Sequence, residues 1–293
     1  MKSLFAFAIA WVTVTATYAD QVELRYKQVP GGTARYRVVC NVQGTVGSGG
    51  ELNSIRQRAV FDWLLETTSV NEGRAAQRLQ LEKLQMSGDF AGETSAMTIE
   101  GGTVTMEMGD ERESTPLEES EFGDVPGVAR ALQLEVDALG AVQARGDFGS
   151  LMQLLNVGEP WLAAYAVVFP QRALGVGESW RQEASASRAG ETELKVSGET
   201  ACKLLRIETY QGRRVARIEF QRKFDYRVER EVGFASPFRR MTEQTTGSVI
   251  FDIEAGRTLV VDSKGQHVMV VVDPELGDEV TQKLTIESKA ERR

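Results

Sequence analysis

The chain contains one histidine, His267, which lies between Gln266 and a run of apolar residues, Val268 to Val271. Transition-metal sites combine several histidine or cysteine ligands, and neither a second histidine nor a cysteine cluster is present. A serine or cysteine nucleophile needs a base such as histidine within hydrogen-bond reach. His267 is therefore predicted to be an ordinary strand residue, with no metal site and no catalytic residue assigned.

Other motifs of catalysis are also missing from the sequence. No Gly-x-Ser-x-Gly elbow occurs. The Gly175-Val176-Gly177 run is too short for a dinucleotide fingerprint and precedes a predicted strand rather than a helix. A glycosidase pair cannot be chosen among 42 acidic residues whose positions the sequence does not fix. These absences predict a chain that is not an enzyme and that needs no cofactor.

Two basic residues interrupt apolar strand faces. Arg222 lies on the apolar face of the strand predicted over 216–230, and Lys83 holds the matching place in a similar segment upstream. An inward basic residue on a concave sheet can bind an anionic head group. Alternatively, it pairs with an internal carboxylate or extends past the sheet edge. Aromatic residues that can line the same surface, or equally form its core, are Phe61, Trp63, Trp161, Tyr165, Phe220 and Phe224.

The two cysteines, Cys40 and Cys202, lie in different predicted strands. Cys40 shares a strand face with Tyr36, Val38 and Val42, so it is predicted to point inward. Outside the cytoplasm the two thiols can form a disulfide. Two separate buried thiols that behave as small apolar side chains are the alternative.

Alternation of apolar and polar residues with a period of two dominates the chain. Strands are predicted at 22–28, 34–46, 54–66, 75–86, 95–107, 132–145, 179–187, 192–208, 216–230, 242–253, 257–263, 266–273 and 279–289. Most turns join neighbouring strands, which favours antiparallel hairpins. Strands as long as 216–230 must twist and curl. The predicted fold is mainly β, with long curved antiparallel sheets in an open barrel or half-barrel.

A short helical segment interrupts the strands near the middle of the chain. Asp147 is the expected cap of a helix whose apolar residues lie at 148, 151, 152 and 155. Pro160 suits the first turn of a second short helix that carries Trp161, Leu162 and Tyr165. A further short helix is considered at 126–131. These helices are expected to pack against the sheet.

The segment 107–124 is rich in acidic residues, with Arg112 the one basic residue among them. Charge blocks of this kind are usually solvated, so the segment is predicted to be a linker. Several carboxylates can also bind calcium, but their spacing matches no calcium loop.

The sequence also contains a weak internal repeat. The residues GRAAQRLQLEKL at 73–84 parallel GRRVARIEFQRK at 212–223, and TIEGGTVTM at 98–106 parallels DIEAGRTLV at 252–260. We interpret this as a duplication, although hairpins of similar composition would also produce it. The predicted organisation is a signal peptide (1–19), a first β unit (20–106), the acidic linker (107–124), a central strand and helical segment (125–178) and a second β unit (179–293).

The first 19 residues predict export. Lys2 precedes a 13-residue, mostly apolar run that ends in the small residues expected before a signal-peptidase cut. Cleavage is expected after Ala19, or else after Ala16. The run is shorter than the roughly 20 residues of a membrane-spanning helix, so the mature chain is expected to have no transmembrane anchor and to be periplasmic or secreted. Losing Lys2 takes the formal charge from −8 to −9, which disfavours nucleic acid as a partner.

The stretch VVFPQRALGVGESWR at 167–181 resembles a segment of a family of exported bacterial β-rich proteins of unknown function. The matching residues are Phe169-Pro170 and Gly177-Glu178-Ser179-Trp180, with Glu178 where the family has Asp. LRYKQVPGGTARYRV (24–38), the VD..G.V pattern of 136–142 and the FD...GR pattern of 251–257 are also similar to that family. The resemblance implies an envelope or secreted β-protein and supplies no catalytic residues.

Three functions remain open. The first is a non-catalytic protein that binds a hydrophobic, lipid-like or amphiphilic ligand on a concave β surface, an analogy to periplasmic lipid carriers that rests on architecture alone. The second is a structural protein that binds a partner protein of the cell envelope. The third, which the missing motifs disfavour, is a hydrolase of envelope polymers.

Overall fold

The predicted strands form one antiparallel sheet in the computed structural model of the chain. The structure describes residues 21–47, 52–90, 93–120, 122–125, 127–145, 161–188, 192–231, 238–272 and 279–293. The signal peptide expected over 1–19 and the helix expected over 148–155 lie outside these residues. The mainly β prediction is confirmed.

Fourteen strands occur in the described part of the chain. The first group is β1 (Thr33–Gly47), β2 (Asn53–Asn71), β3 (Arg74–Phe90), β4 (Glu93–Glu100), β5 (Thr103–Met108), β6 (Glu111–Pro116), β7 (Leu132–Asp137) and β8 (Val142–Arg145). The second group is β9 (Ser179–Arg188), β10 (Thr192–Tyr210), β11 (Arg213–Glu231), β12 (Phe238–Asp252), β13 (Arg257–Val272) and β14 (Glu279–Arg292).

The strand order joins two meanders through the ends of the chain. The order is β6-β5-β4-β3-β2-β1-β14-β13-β12-β11-β10-β9, so the first and last strands pair in the middle of the sheet. Strand β3 is shared, because its first half pairs with β7 and its second half with β4. The sheet is open, with β6 and β9 at the ends of this order. Two sheets were expected, and the β1–β14 pairing makes them one.

Each strand follows the alternation read from the sequence. In β11, Ile218, Phe220, Arg222 and Tyr226 are buried on the inner face, while polar side chains between them face outward. The inner residues of neighbouring strands lie in register, so the apolar rows continue across the sheet. These rows form the concave face that holds the core.

Several strand boundaries differ from the prediction. The segment 95–107 is split into β4 and β5, because Gly101 and Gly102 both have positive φ and make a tight turn. The segment 132–145 is split into β7 and β8, and the two strands predicted over 257–273 are one, β13. The predicted strand 22–28 is extended chain that forms an isolated bridge, Val22 with Leu174.

The acidic segment 107–124 is not a solvated linker. It begins in β5 and continues through β6, which is hydrogen-bonded to β5, and a 3-10 helix at Leu117–Glu119. The acidic side chains are exposed on an end strand, where backbone pairing is compatible with charge. Phe122 then returns to the core.

One short helix, α1 (Leu162–Tyr165), occurs in the described residues and confirms the second helix predicted from the sequence. Its residues Ala163, Ala164 and Tyr165 are buried against the concave face. The described residues of 126–131 form turns rather than a helix.

The two hairpins of the proposed repeat have the same turn. Glu72-Gly73 joins β2 to β3 and Gln211-Gly212 joins β10 to β11, with positive φ at all four residues. This is the turn that matches the twist of paired strands. The duplication itself stays a prediction.

An aromatic cluster closes one end of the concave face. The Tyr26 ring lies 5.0 Å from the Tyr165 ring, 5.1 Å from Phe169 and 5.1 Å from Phe251. Its hydroxyl donates to the Val167 carbonyl at 3.0 Å. The residues of the family resemblance thus meet in this cluster, and Trp180 Nε1 adds a hydrogen bond to the Val168 carbonyl at 2.9 Å.

We predict that Gly140→Ala destabilises the fold more than Gly177→Ala. Both glycines have similar φ, +94° and +88°, so both substitutions carry the same backbone strain. A methyl group at Gly140 meets the Tyr26 ring, whereas one at Gly177 meets nothing within 4 Å. Urea denaturation should show an additional loss of about 1–3 kcal/mol for Gly140→Ala. Equal losses would contradict this packing role.

Candidate functional site

A cavity of about 90 Å³ lies on the concave face between α1 and strands β1, β2 and β11 to β14. One wall is apolar and aromatic, and includes Cys40, Phe61, Trp63 and Phe220. Helix α1 covers this wall with Leu162 and Ala163. The volume of the cavity is several times the roughly 10–15 Å³ that one water molecule needs.

The cavity brings together four of the residues predicted to line a ligand site, namely Phe61, Trp63, Phe220 and Arg222. Trp161 and Tyr165 are buried beside it and hold the helix rather than forming the wall. Lys83 is a wrong prediction. A bulge in β3 lies between Leu81 and Lys83, opposite Trp63 and Asp62 of β2. It turns Lys83 to the outer face, where Lys83 pairs with Glu100 at 2.7 Å.

A buried hydrogen-bond network fixes the position of α1. The Tyr165 hydroxyl donates to Gln77 Oε1 at 2.8 Å and accepts from Gln28 Nε2 at 2.9 Å. Gln77 Nε2 donates to Gln28 Oε1 at 2.8 Å and to Thr67 Oγ1 at 3.0 Å. Burial raises the pKa of Tyr165, so its hydroxyl stays protonated and remains a donor.

Arg222, Glu243 and His267 form a polar cluster on the floor of the cavity. They come from β11, β12 and β13, and each is less than a tenth exposed. Glu243 lies directly opposite His267 in the strand register, and Arg222 Nε is 3.9 Å from Glu243 Oε1. The Tyr226 hydroxyl donates to Glu243 Oε2 at 3.3 Å. The Arg222 guanidinium also lies 4.9 Å from the centre of the Phe224 ring.

The cluster holds one positive and one negative charge around a neutral imidazole. Burial opposes ionisation of Glu243, but the nearby charge of Arg222 keeps the pKa of Glu243 below its ordinary value. Burial lowers the pKa of His267; Glu243 works against this shift and Arg222 adds to it. Because both pKa values are lowered, acidification protonates these groups more readily in the unfolded chain and so reduces stability.

Sequence reasoning found Arg222 but missed Glu243. Glu243 lies between Met241 and Thr245 on the inner face of β12, so it interrupts an inner face as Arg222 does. That interruption was a visible signal, and it points to the internal carboxylate that was one alternative for Arg222. The assignment of His267 as a strand residue is confirmed.

The two cysteines are free and buried, so the disulfide is not formed in this structure. Four strands separate β1 from β10 in the strand order. Burial raises the pKa of the Cys40 thiol to about 12, and burial likewise raises the pKa of Cys202 to about 12. Both therefore remain thiols and behave as small apolar side chains.

Ser263 also lines the cavity, but it is four residues from His267 on β13, about 13 Å along the strand, which is too far for His267 to act as its base. The Ser263 hydroxyl instead hydrogen-bonds Ser288 at 2.8 Å. Within the described ranges, no three His, Cys, Asp or Glu side chains are grouped to hold a metal.

Comparisons with known proteins give only distant structural similarities. No protein-family model and no curated protein matches the chain. A Bacteroides fragilis protein with a YmcC-like fold is 8% identical, with a TM-score of 0.26, over 92% of this chain and 97% of its own. An outer membrane channel from Pseudomonas putida is 9% identical, with a TM-score of 0.25, over 92% and 98%. Pseudomonas aeruginosa OccK5 is 6% identical, with a TM-score of 0.22, over 91% and 100%. Similarities this weak assign no function to the chain.

None of the helices among the described residues has the length and apolar character to cross a membrane.

We predict that His267 titrates below pH 6.5 in the folded chain and close to 6.5 in urea. It is the only histidine, so its ring-proton NMR signals identify it directly. Glu243→Gln should lower the midpoint further, because it removes the negative charge that favours imidazolium. Glu287→Gln, an exposed carboxylate paired with Lys264, should leave it unchanged. A midpoint at or above 6.5 in the folded chain would be inconsistent with a buried His267.

Proposed function

We propose that this chain is an exported, non-catalytic protein that binds a small amphiphilic ligand on its concave β surface, under α1. The observation that carries the proposal is one cavity with an apolar aromatic wall and a buried charged floor. Ligand sites typically combine a largely apolar lining with a few fixed polar groups.

The apolar wall is suited to the hydrocarbon part of such a ligand. Phe61 and Trp63 are stacked with their ring centres 6.2 Å apart, and Phe220 also lines the cavity. Two small residues, Ala163 of α1 and Ala166 directly after it, line this space and leave it unfilled. Larger side chains at those positions would close the cavity, so the small residues maintain it.

The charged floor is suited to the polar part of the ligand. Burying ions without a compensating gain is costly, and a well-packed apolar core of similar volume is often as stable as a buried ion pair. Arg222 and Glu243 are both buried here, and His267 is beside them. A ligand head group that accepts from Arg222 or donates to Glu243 gives these residues a role beyond stability.

We predict that butanol or butanoate, which matches the size of this cavity, binds in it and changes the fluorescence of Trp63. Ala166→Leu should weaken binding at least about tenfold, because the added side chain projects into the cavity. Ala173→Leu, a half-buried alanine outside the cavity lining, is the matched control. Fluorescence titration measures the affinity, Trp63→Phe identifies the source of the signal, and native mass spectrometry gives the bound mass.

The head-group position has its own test. Glu243→Gln removes the negative charge from the floor and leaves Arg222, so butanoate should gain affinity relative to butanol. An unchanged preference would place the head group elsewhere. Equal binding by Ala166→Leu and the parent chain, or no binding of either probe, would refute the proposal.

We predict that the exported chain begins at Asp20. Signal peptidase requires a small residue at the cut, so Ala19→Leu should block cleavage or shift it to Ala16. N-terminal sequencing and intact mass of the periplasmic or secreted protein measure this. Recovery of the full 293-residue chain in the cytoplasm would contradict export.

A further inference from the structure

A second apolar region lies on the part of the sheet formed by β3, β4 and β5. Met86, Met97 and Met106 are direct cross-strand partners and form a row across these strands. Met108 follows on the same face of β5. Because cross-strand partners point to one side of a sheet, the four methionines line one surface, here called the methionine groove.

The methionine groove is large and partly open. It has a volume of about 940 Å³, and Phe122 and Ile55 complete its lining. Exposure increases toward the sheet end, from 5% at Met97 to 42% at Met106 and 59% at Met108. Met106 and Met108 are among the few large apolar side chains that are exposed in the described chain.

The chemistry of methionine favours a protein partner at such a groove. Its side chain is flexible and polarisable, so a methionine surface adapts its shape to different apolar side chains. Surfaces of this kind bind the apolar face of amphipathic segments.

The charged residues around the methionine groove determine which sign of charge a partner should carry. The lining of the methionine groove includes two carboxylates on the methionine face, because Glu93 shares the inner face of β4 with Met97 and Glu111 is the register partner of Met108. Asp89, Glu107 and Arg56 also line it, but from the opposite face of the sheet. Arg112 lies on that opposite face too, 3.5 Å from its register partner Glu107. The rim therefore has a net negative charge, which attracts a basic partner and repels an anionic amphiphile. A second copy of this chain, with its formal charge of −8, is disfavoured for the same reason.

We propose that the methionine groove binds a basic amphipathic segment of a partner protein. The apolar face of the segment packs on the methionines, and its lysines or arginines meet the acidic rim. This site is distinct from the cavity under α1 and does not depend on a ligand there.

A labelled peptide of leucine and lysine, with leucine at the helical spacing i, i+3, i+4 and i+7, tests this inference by fluorescence anisotropy. The purified chain should bind it, and should bind the glutamate-for-lysine counterpart at least about tenfold more weakly. Met106→Ser with Met108→Ser should weaken binding about tenfold or more. Both positions are exposed, so the fold should tolerate the change. Val268→Ser, an exposed apolar residue on the outer face of β13, is the matched control.

A charge variant tests the contribution of the acidic rim to binding separately from that of the methionines. Glu93→Gln with Glu111→Gln should weaken peptide binding and reduce its dependence on salt. Binding that is unaffected by either double variant, or equal binding of the acidic peptide, would overturn the inference. Methionine-dependent dimerisation of the chain in light scattering would also overturn it, since the occupant would then be a second copy.

Discussion

The burial of Tyr26 is the interaction on which the arrangement of this protein depends. An open curved sheet leaves its concave face exposed unless other segments cover it. Tyr26 packs on Tyr165, Phe169 and Phe251 and bonds the Val167 carbonyl, so it connects the extended N-terminal segment, the helix and β12. Gly140 provides the space for its ring. One side chain thereby joins elements distant in the sequence at one end of the sheet.

Both the apolar wall and the charged floor of the cavity follow from this closure and from strand register. Tyr165, held by Gln28 and Gln77, places α1 over the cavity that Phe61 and Phe220 line. Arg222, Glu243 and His267 are separated widely in sequence, and antiparallel pairing of β11, β12 and β13 brings them together. The floor is therefore a product of register, and a one-residue slip of any of these strands would turn its own member of the cluster outward.

Much of the fold could be predicted because a period of two is a local property. Long strands such as β11, the hairpin turns and the inward position of Arg222 were all readable. What could not be predicted depends on non-local pairing. The bulge near Lys83 reverses the face on which that residue lies, and no local sequence pattern predicts the bulge. Likewise, the acidic residues of β6 suggested a linker, because an end strand can carry charge on both sides. Glu243 was visible in the sequence as a charged residue on an apolar strand face, but its pairing with Arg222 could be recognised only from the strand register.

The two halves of the sheet differ in length, and this explains why one encloses a cavity and the other leaves a groove. Strands β10 to β13 have 15 to 19 residues each, whereas β4 to β6 have 6 to 8. The second half of β3 carries the short strands, while its first half pairs with β7. Helix α1 lies over β13 and β1, so its cover does not extend to the methionines of β5. An apolar surface that is left open in this way is stable only if it is small, solvated at its rim or occupied by another molecule. The acidic rim meets the second condition in the free chain and provides the charge that recognises an occupant.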